Sequence, residues 1–68
     1  MYALFDTFNK NIVSRHRSIE TAVKADQKLQ SGFRNGSYLP TTIKRIEGAE
    51  LVDLTEYEVE EMLARYDR

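Results

Sequence analysis

The 68-residue chain has no cysteine, no tryptophan, one histidine, one proline and three glycines. Without cysteine it has neither a disulfide framework nor a thiolate metal site. With His16 as the sole histidine, a metal site needs that imidazole plus carboxylates, and no ligand pair stands at a recognisable spacing. Gly32, Gly36 and Gly48 are dispersed and form no phosphate-cradling loop. There is no Gly-x-Ser-x-Gly turn to present a nucleophile. Ser14 is two residues from His16, which on a strand puts both on one face but roughly 6–7 Å apart along the chain. No apolar run approaches the ~20 residues that span a bilayer. The stretch from Met1 to Asp6 has neither the basic start nor the long apolar core of a secretion signal. The expectation is a soluble, cytoplasmic chain that is no enzyme and uses no cofactor, metal, membrane or small-molecule substrate.

Charged residues make up 31% and hydrophobic residues 41%, the balance of a folded domain rather than a disordered tail. The length allows one domain, residues 1–68, which buries only about 60% of its unfolded surface. Few large side chains can be spared from its core.

Residues 2–6 read as a strand, Asn9-Lys10-Asn11 as a turn and residues 12–16 as a second strand, so an antiparallel hairpin is expected. A two-residue turn pairs Phe8 with Asn11, whereas a four-residue loop pairs Asp6 with Asn11. Both strands are apolar enough on either face that alternation does not choose. Ser18 has the side chain of a helix cap, and Glu20 suits the positive helix end. Ile19, Ala22, Val23, Leu29 and Phe33 then recur at helical spacing and predict an inward stripe. Asp26 falls beside that stripe and must be paired or at its rim; a tyrosine hydroxyl or an ion pair is the expected partner.

Gly32 or Gly36 can close the helix in the left-handed conformation, and Asn35-Gly36-Ser37 is a turn. Residues 38–46 read as a third strand, with Pro40 at its start or on an edge. Residues 51–53 are too short to classify, with a brief further strand left open for them. Thr55 and Glu58 form a capping box, flanked by Leu54 and Val59 as a hydrophobic staple, and start a last helix. The expected fold is a small α+β domain in the order β-β-α-β-α. Its sheet is three-stranded, antiparallel or mixed, with helix packed on one face.

The net charge of −1 conceals an asymmetry. Residues 1–46 carry eight basic and three acidic side chains, and residues 47–68 carry two basic and eight acidic ones. One consequence is mutual attraction of the two halves; the other is a basic surface for an anionic partner. Two binding surfaces are therefore candidates. The first is the narrow apolar stripe Val59, Met62, Leu63 and Tyr66 on the last helix, suited to a protein partner or a second copy. The second is a basic surface of Lys10, Arg15, His16, Arg17, Arg34, Lys44 and Arg45, suited to nucleic-acid phosphates. Tyr2, Phe5, Phe8 and Tyr38 are candidates for stacking bases on an open sheet face, and equally for the core. A pI near 5.7 weighs against nucleic acid, so a protein-interaction module, with a second copy among its candidate partners, is the leading expectation.

Overall fold

A computed structural model describes residues 1–32 and 40–66. Phe33, Arg34, the Asn35-Gly36-Ser37 turn and Tyr38, at the expected start of the third strand, lie outside the described residues. The elements are β1 (Tyr2–Asp6), β2 (Asn11–His16), α1 (Ile19–Ser31), β3 (Thr41–Glu47), β4 (Glu50–Val52) and α2 (Glu56–Tyr66). They form an α+β domain with both helices on one face of an antiparallel sheet of order β2-β1-β3-β4.

The sheet has four strands where three were expected. The extra one arises because Glu47 pairs with Glu50 across a two-residue turn, which returns Leu51 and Val52 alongside Ile46 and Arg45. Gly48 takes φ +59 at the first turn position, the pattern of a type II′ hairpin turn that glycine enters without strain.

The first hairpin adopts the four-residue loop, with Asp6 opposite Asn11. Asp6 fixes that choice. Its Oδ1 accepts the Phe8 and Asn9 amides at 2.9 and 3.1 Å, and its Oδ2 accepts the Asn9 side-chain amide at 2.8 Å. These bonds hold the carboxyl below its ordinary pKa, the Asn9 side chain contributing most. Lys10 closes the loop at φ 58, an uncommon conformation for a side chain with a Cβ. Further along, Leu4 pairs with Ser14 but Phe5 pairs with Ile12, so Val13 is an extra residue and β2 carries a bulge.

Ser18 caps α1 by accepting the Thr21 amide at 3.2 Å. Gly32 ends the described helix at φ −76, in right-handed and not left-handed backbone, its amide turning back to the Leu29 carbonyl at 3.1 Å. Pro40 precedes β3, where its missing amide costs no ladder bond; its carbonyl accepts both the Thr7 amide and hydroxyl at 2.9 Å. The capping box of α2 forms as expected: the Glu58 amide donates to Thr55 Oγ1 at 3.3 Å and the Thr55 amide to Glu58 Oε1 at 2.9 Å.

The core is Leu4, Ile19, Ala22, Val23 and Ile43, with Tyr2, Ala25, Leu29, Leu54, Met62 and Tyr66 packed around it. Ile19, Ala22 and Val23 are therefore inward as expected, while Leu29 is only half-buried.

Candidate docking face of the sheet

Successive strand residues point to opposite faces, and directly paired residues share one. Tyr2, Leu4, Ile43, Arg45 and Ser14 stand on the helix-covered face, as the core contacts of Leu4, Ile43 and Tyr2 require. The opposite face carries three rows. Ile12, Phe5 and Thr42 form one; Arg15, Ala3 and Lys44 form the second; Ile46 and Leu51 form the third. No described helix lies over them. Phe5, Ile12, Ile46 and Leu51 are half-buried there. Ala3 is fully buried, with Arg15 and Lys44 directly across the strands on either side.

Lys44 Nζ donates to Asp53 Oδ1 at 3.0 Å. Arg15 is exposed and has no ion-pair partner among the described residues; the same holds for Arg17, just beyond the end of β2. Lys10 and the exposed Phe8 lie in the loop at the far end of the same hairpin.

The seven basic candidates do not form one patch. Arg15 and Lys44 share the open face, but His16 and Arg45 pair with Tyr2 and so stand on the other. Arg45 is committed internally, with Nη2 2.9 Å from Glu47 and Nε 3.8 Å from Glu58. Arg34 lies outside the described residues. Among the aromatic candidates, Phe5 is on the open face, Tyr2 on the covered one, and Tyr38 outside the described residues.

The apolar stripe of α2 divides in the same way. Met62 and Tyr66 pack against the core and Val59 is half-buried, whereas Leu63 is 53% exposed. At about 100° per residue Leu63 lies at the rim of that stripe. The outward face of α2 consists of Glu56, Tyr57, Glu60, Leu63 and Ala64, all exposed. Spacing of the apolar residues alone conceals it, because Tyr57 lies outside the periodic set.

Tyrosine–carboxylate hydrogen bonds fix both ends of α2. The Tyr2 hydroxyl donates to Glu58 Oε2 at 2.6 Å, which raises the phenol pKa and lowers that of the carboxyl. At the other end the Tyr66 hydroxyl donates to Asp26 Oδ2. Burial first, and this bond second, push the Tyr66 phenol well above its usual range. Asp26 is 8% exposed, and its Oδ1 also accepts Thr41 Oγ1 at 2.6 Å and Gln30 Nε2 at 3.1 Å. The anomalous carboxylate of α1 thus has the tyrosine expected for it.

Ser14 and His16 are closer than their spacing along the strand implies: Ser14 Oγ and His16 Nε2 are 2.7 Å apart. An activated serine also needs its histidine oriented by a third group. Among the described residues no carboxylate bonds to His16, and no group of three or more metal-ligating side chains occurs. No described helix is long and apolar enough to cross a membrane. No family model, no curated protein and no solved structure matches the chain.

Proposed function

We propose that the protein is a non-enzymatic interaction module that docks an acidic, amphipathic segment of a protein partner on the helix-free face of its sheet. One observation carries this reading: Phe5, Ile12, Ile46 and Leu51 are half-buried on a face no described helix covers, beside Arg15, which has no carboxylate partner among the described residues. A row carrying Arg15 and Lys44 between two apolar rows is the complement of a helix that carries leucine or tyrosine among glutamates.

Nucleic acid is the second reading, favoured by Phe5 standing beside the Arg15 and Lys44 row. Three observations weigh against it. Phe5 is the one aromatic side chain in the three rows, Lys44 is already neutralised by Asp53, and the net charge is −1.

Titration of the labelled protein with a synthetic acidic amphipathic peptide, followed by amide NMR shifts, tests the reading. Shifts grouped on Phe5, Ile12, Arg15, Lys44 and Ile46 are expected, and they should weaken in Arg15→Glu. If a mixed-sequence oligonucleotide moves those signals with a steep salt dependence and the peptide does not, the second reading replaces the first. Silence toward both probes removes the open face as a docking surface.

A further inference from the structure

We infer that the acidic segment seated on the open face is α2 of a second copy, so that the chain associates head to tail. The inference rests on the docking role proposed for that face and names its occupant. Two opposite surfaces of one molecule supply the complement.

On the helix layer, the outward stripe of α2 presents Tyr57, 77% exposed, and Leu63, with Glu56 and Glu60 between them around the helix. The one arginine described on that helix turns away from the stripe: Arg65 lies 3.3 Å from Glu61 and 3.7 Å from Glu20. The stripe is therefore apolar and negative. On the sheet layer, the open face is apolar with Arg15 unpaired among the described residues.

The outward face of α1 does not offer the same fit. Its exposed residues Glu20, Thr21, Lys24, Gln27 and Lys28 include no large apolar side chain, and Glu20 already pairs with Lys24 at 3.6 Å. The charge division along the sequence acquires a structural meaning here. The part of the acidic half that faces outward on α2 lies on the helix layer, while Arg15 of the basic half lies on the opposite side of the sheet.

A contact between two different surfaces of the same molecule is heterologous. It extends into open stacks unless a rotation closes it into a ring. Tyr57 and Leu63 would seat over the Phe5, Ile12 and Ile46 rows, with Glu60 reaching Arg15. Such a contact is ionic along its middle row and apolar on either side, so salt should weaken it without abolishing it.

Sedimentation velocity of the full chain over a wide concentration range, at low and high salt, tests the inference. Wild type should form a concentration-dependent series of species that shifts toward monomer at high salt. Arg15→Glu on the sheet face should leave monomer, and so should Tyr57→Lys/Leu63→Lys on the helix face; both alter exposed side chains, and circular dichroism checks that they fold. Mixing these two variants is the decisive arm. Each retains one intact surface, so the mixture should give a one-to-one dimer and nothing larger.

A wild type that stays monomeric throughout overturns the inference, and the peptide titration then judges the docking role by itself. If Arg15→Glu abolishes association but the helix variant associates like wild type, the occupant is not α2; the inference falls and the docking face stands. Variants that associate like wild type in both cases remove the inference and the docking role together. A mixture that stays monomeric points to like faces meeting, and also overturns the head-to-tail contact.

Discussion

The hydroxyl of Tyr66, in the last turn of α2, donates to Asp26 in the middle of α1. Thr41 at the start of β3 donates to the same carboxylate. One buried acid thus joins three elements that are distant in sequence, and its hydrogen-bond donors among the described residues are neutral: a phenol, a hydroxyl and an amide. A carboxylate held this way stays buried only while its hydrogen bonds are made.

Asp26→Ala should therefore destabilise the domain by about 1–3 kcal/mol for each donor left buried without an acceptor. Tyr66→Phe, which removes one hydroxyl and keeps the ring packed, should cost about 1.5–3 kcal/mol. Urea unfolding of both single variants and the double variant checks this. Strong coupling between the two losses is expected, because they remove the two ends of one bond.

The Tyr2 and Tyr66 phenols are both held above their ordinary pKa. A folded-state pKa raised above that of the unfolded chain contributes stability that is complete below about pH 10 and is lost as pH rises through the folded value. Alkaline unfolding should therefore coincide with late phenolate absorbance, read near the ultraviolet tyrosinate band. In Tyr66→Phe the latest part of that absorbance should vanish.

At acid pH the sign reverses. The Glu58 and Asp6 carboxyls are depressed, Glu58 first by the Tyr2 hydroxyl and then by the Thr55 amide, Asp6 first by Asn9. Their contribution is present above the ordinary carboxylate pKa and is lost as pH falls through the lower folded values. Tyr2→Phe should raise the Glu58 pKa, measured by side-chain NMR titration, and move the onset of acid unfolding to higher pH.

Lys10 occupies left-handed backbone at φ 58. A side chain with a Cβ costs roughly 1–2 kcal/mol there, which glycine avoids, although glycine also loosens the unfolded chain. Lys10→Gly should raise stability by up to about 1 kcal/mol, and Lys10→Val should lower it. Thermal midpoints of the two variants should move in opposite directions.

Leu4 is nearly inaccessible between its strand neighbour Ile43 and the helix layer, so Leu4→Ala should cost about 2–5 kcal/mol. Leu29 is half-buried, and Leu29→Ala should cost distinctly less. Equal losses in chemical denaturation would contradict this ordering of the core.

The helices were legible because their signals are local. Ser18, the Thr55–Glu58 box and the Ile19-Ala22-Val23 spacing act within a turn or two of backbone. The acceptor role of Asp26 was legible too, since a carboxylate beside an apolar stripe demands a partner. The faces of the hairpin were not. The bulge at Val13 reverses the alternation of β2 midway, so one periodicity cannot describe both halves of the strand. Phe5 and Ile12 consequently emerge on the open face only once Asp6 has fixed the loop. The fourth strand stays open and unassigned in the sequence because three residues carry too little pattern, and Gly48 acts through a backbone conformation that composition does not reveal. The α2 stripe was read as a single surface, whereas its members divide between core and rim.

The order β2-β1-β3-β4 places the first strand of the chain in the interior of the sheet. Tyr2 must wait for Arg45, and Asp6 for Thr41, before β1 gains its second neighbour. During synthesis the β1–β2 hairpin and α1 emerge early, yet one long edge of β1 keeps its amides and carbonyls unpaired until β3 has left the ribosome. Closing a loop of that length is slow compared with hairpin formation. The nascent chain therefore passes through a stage in which an interior strand of the finished sheet is still an open edge.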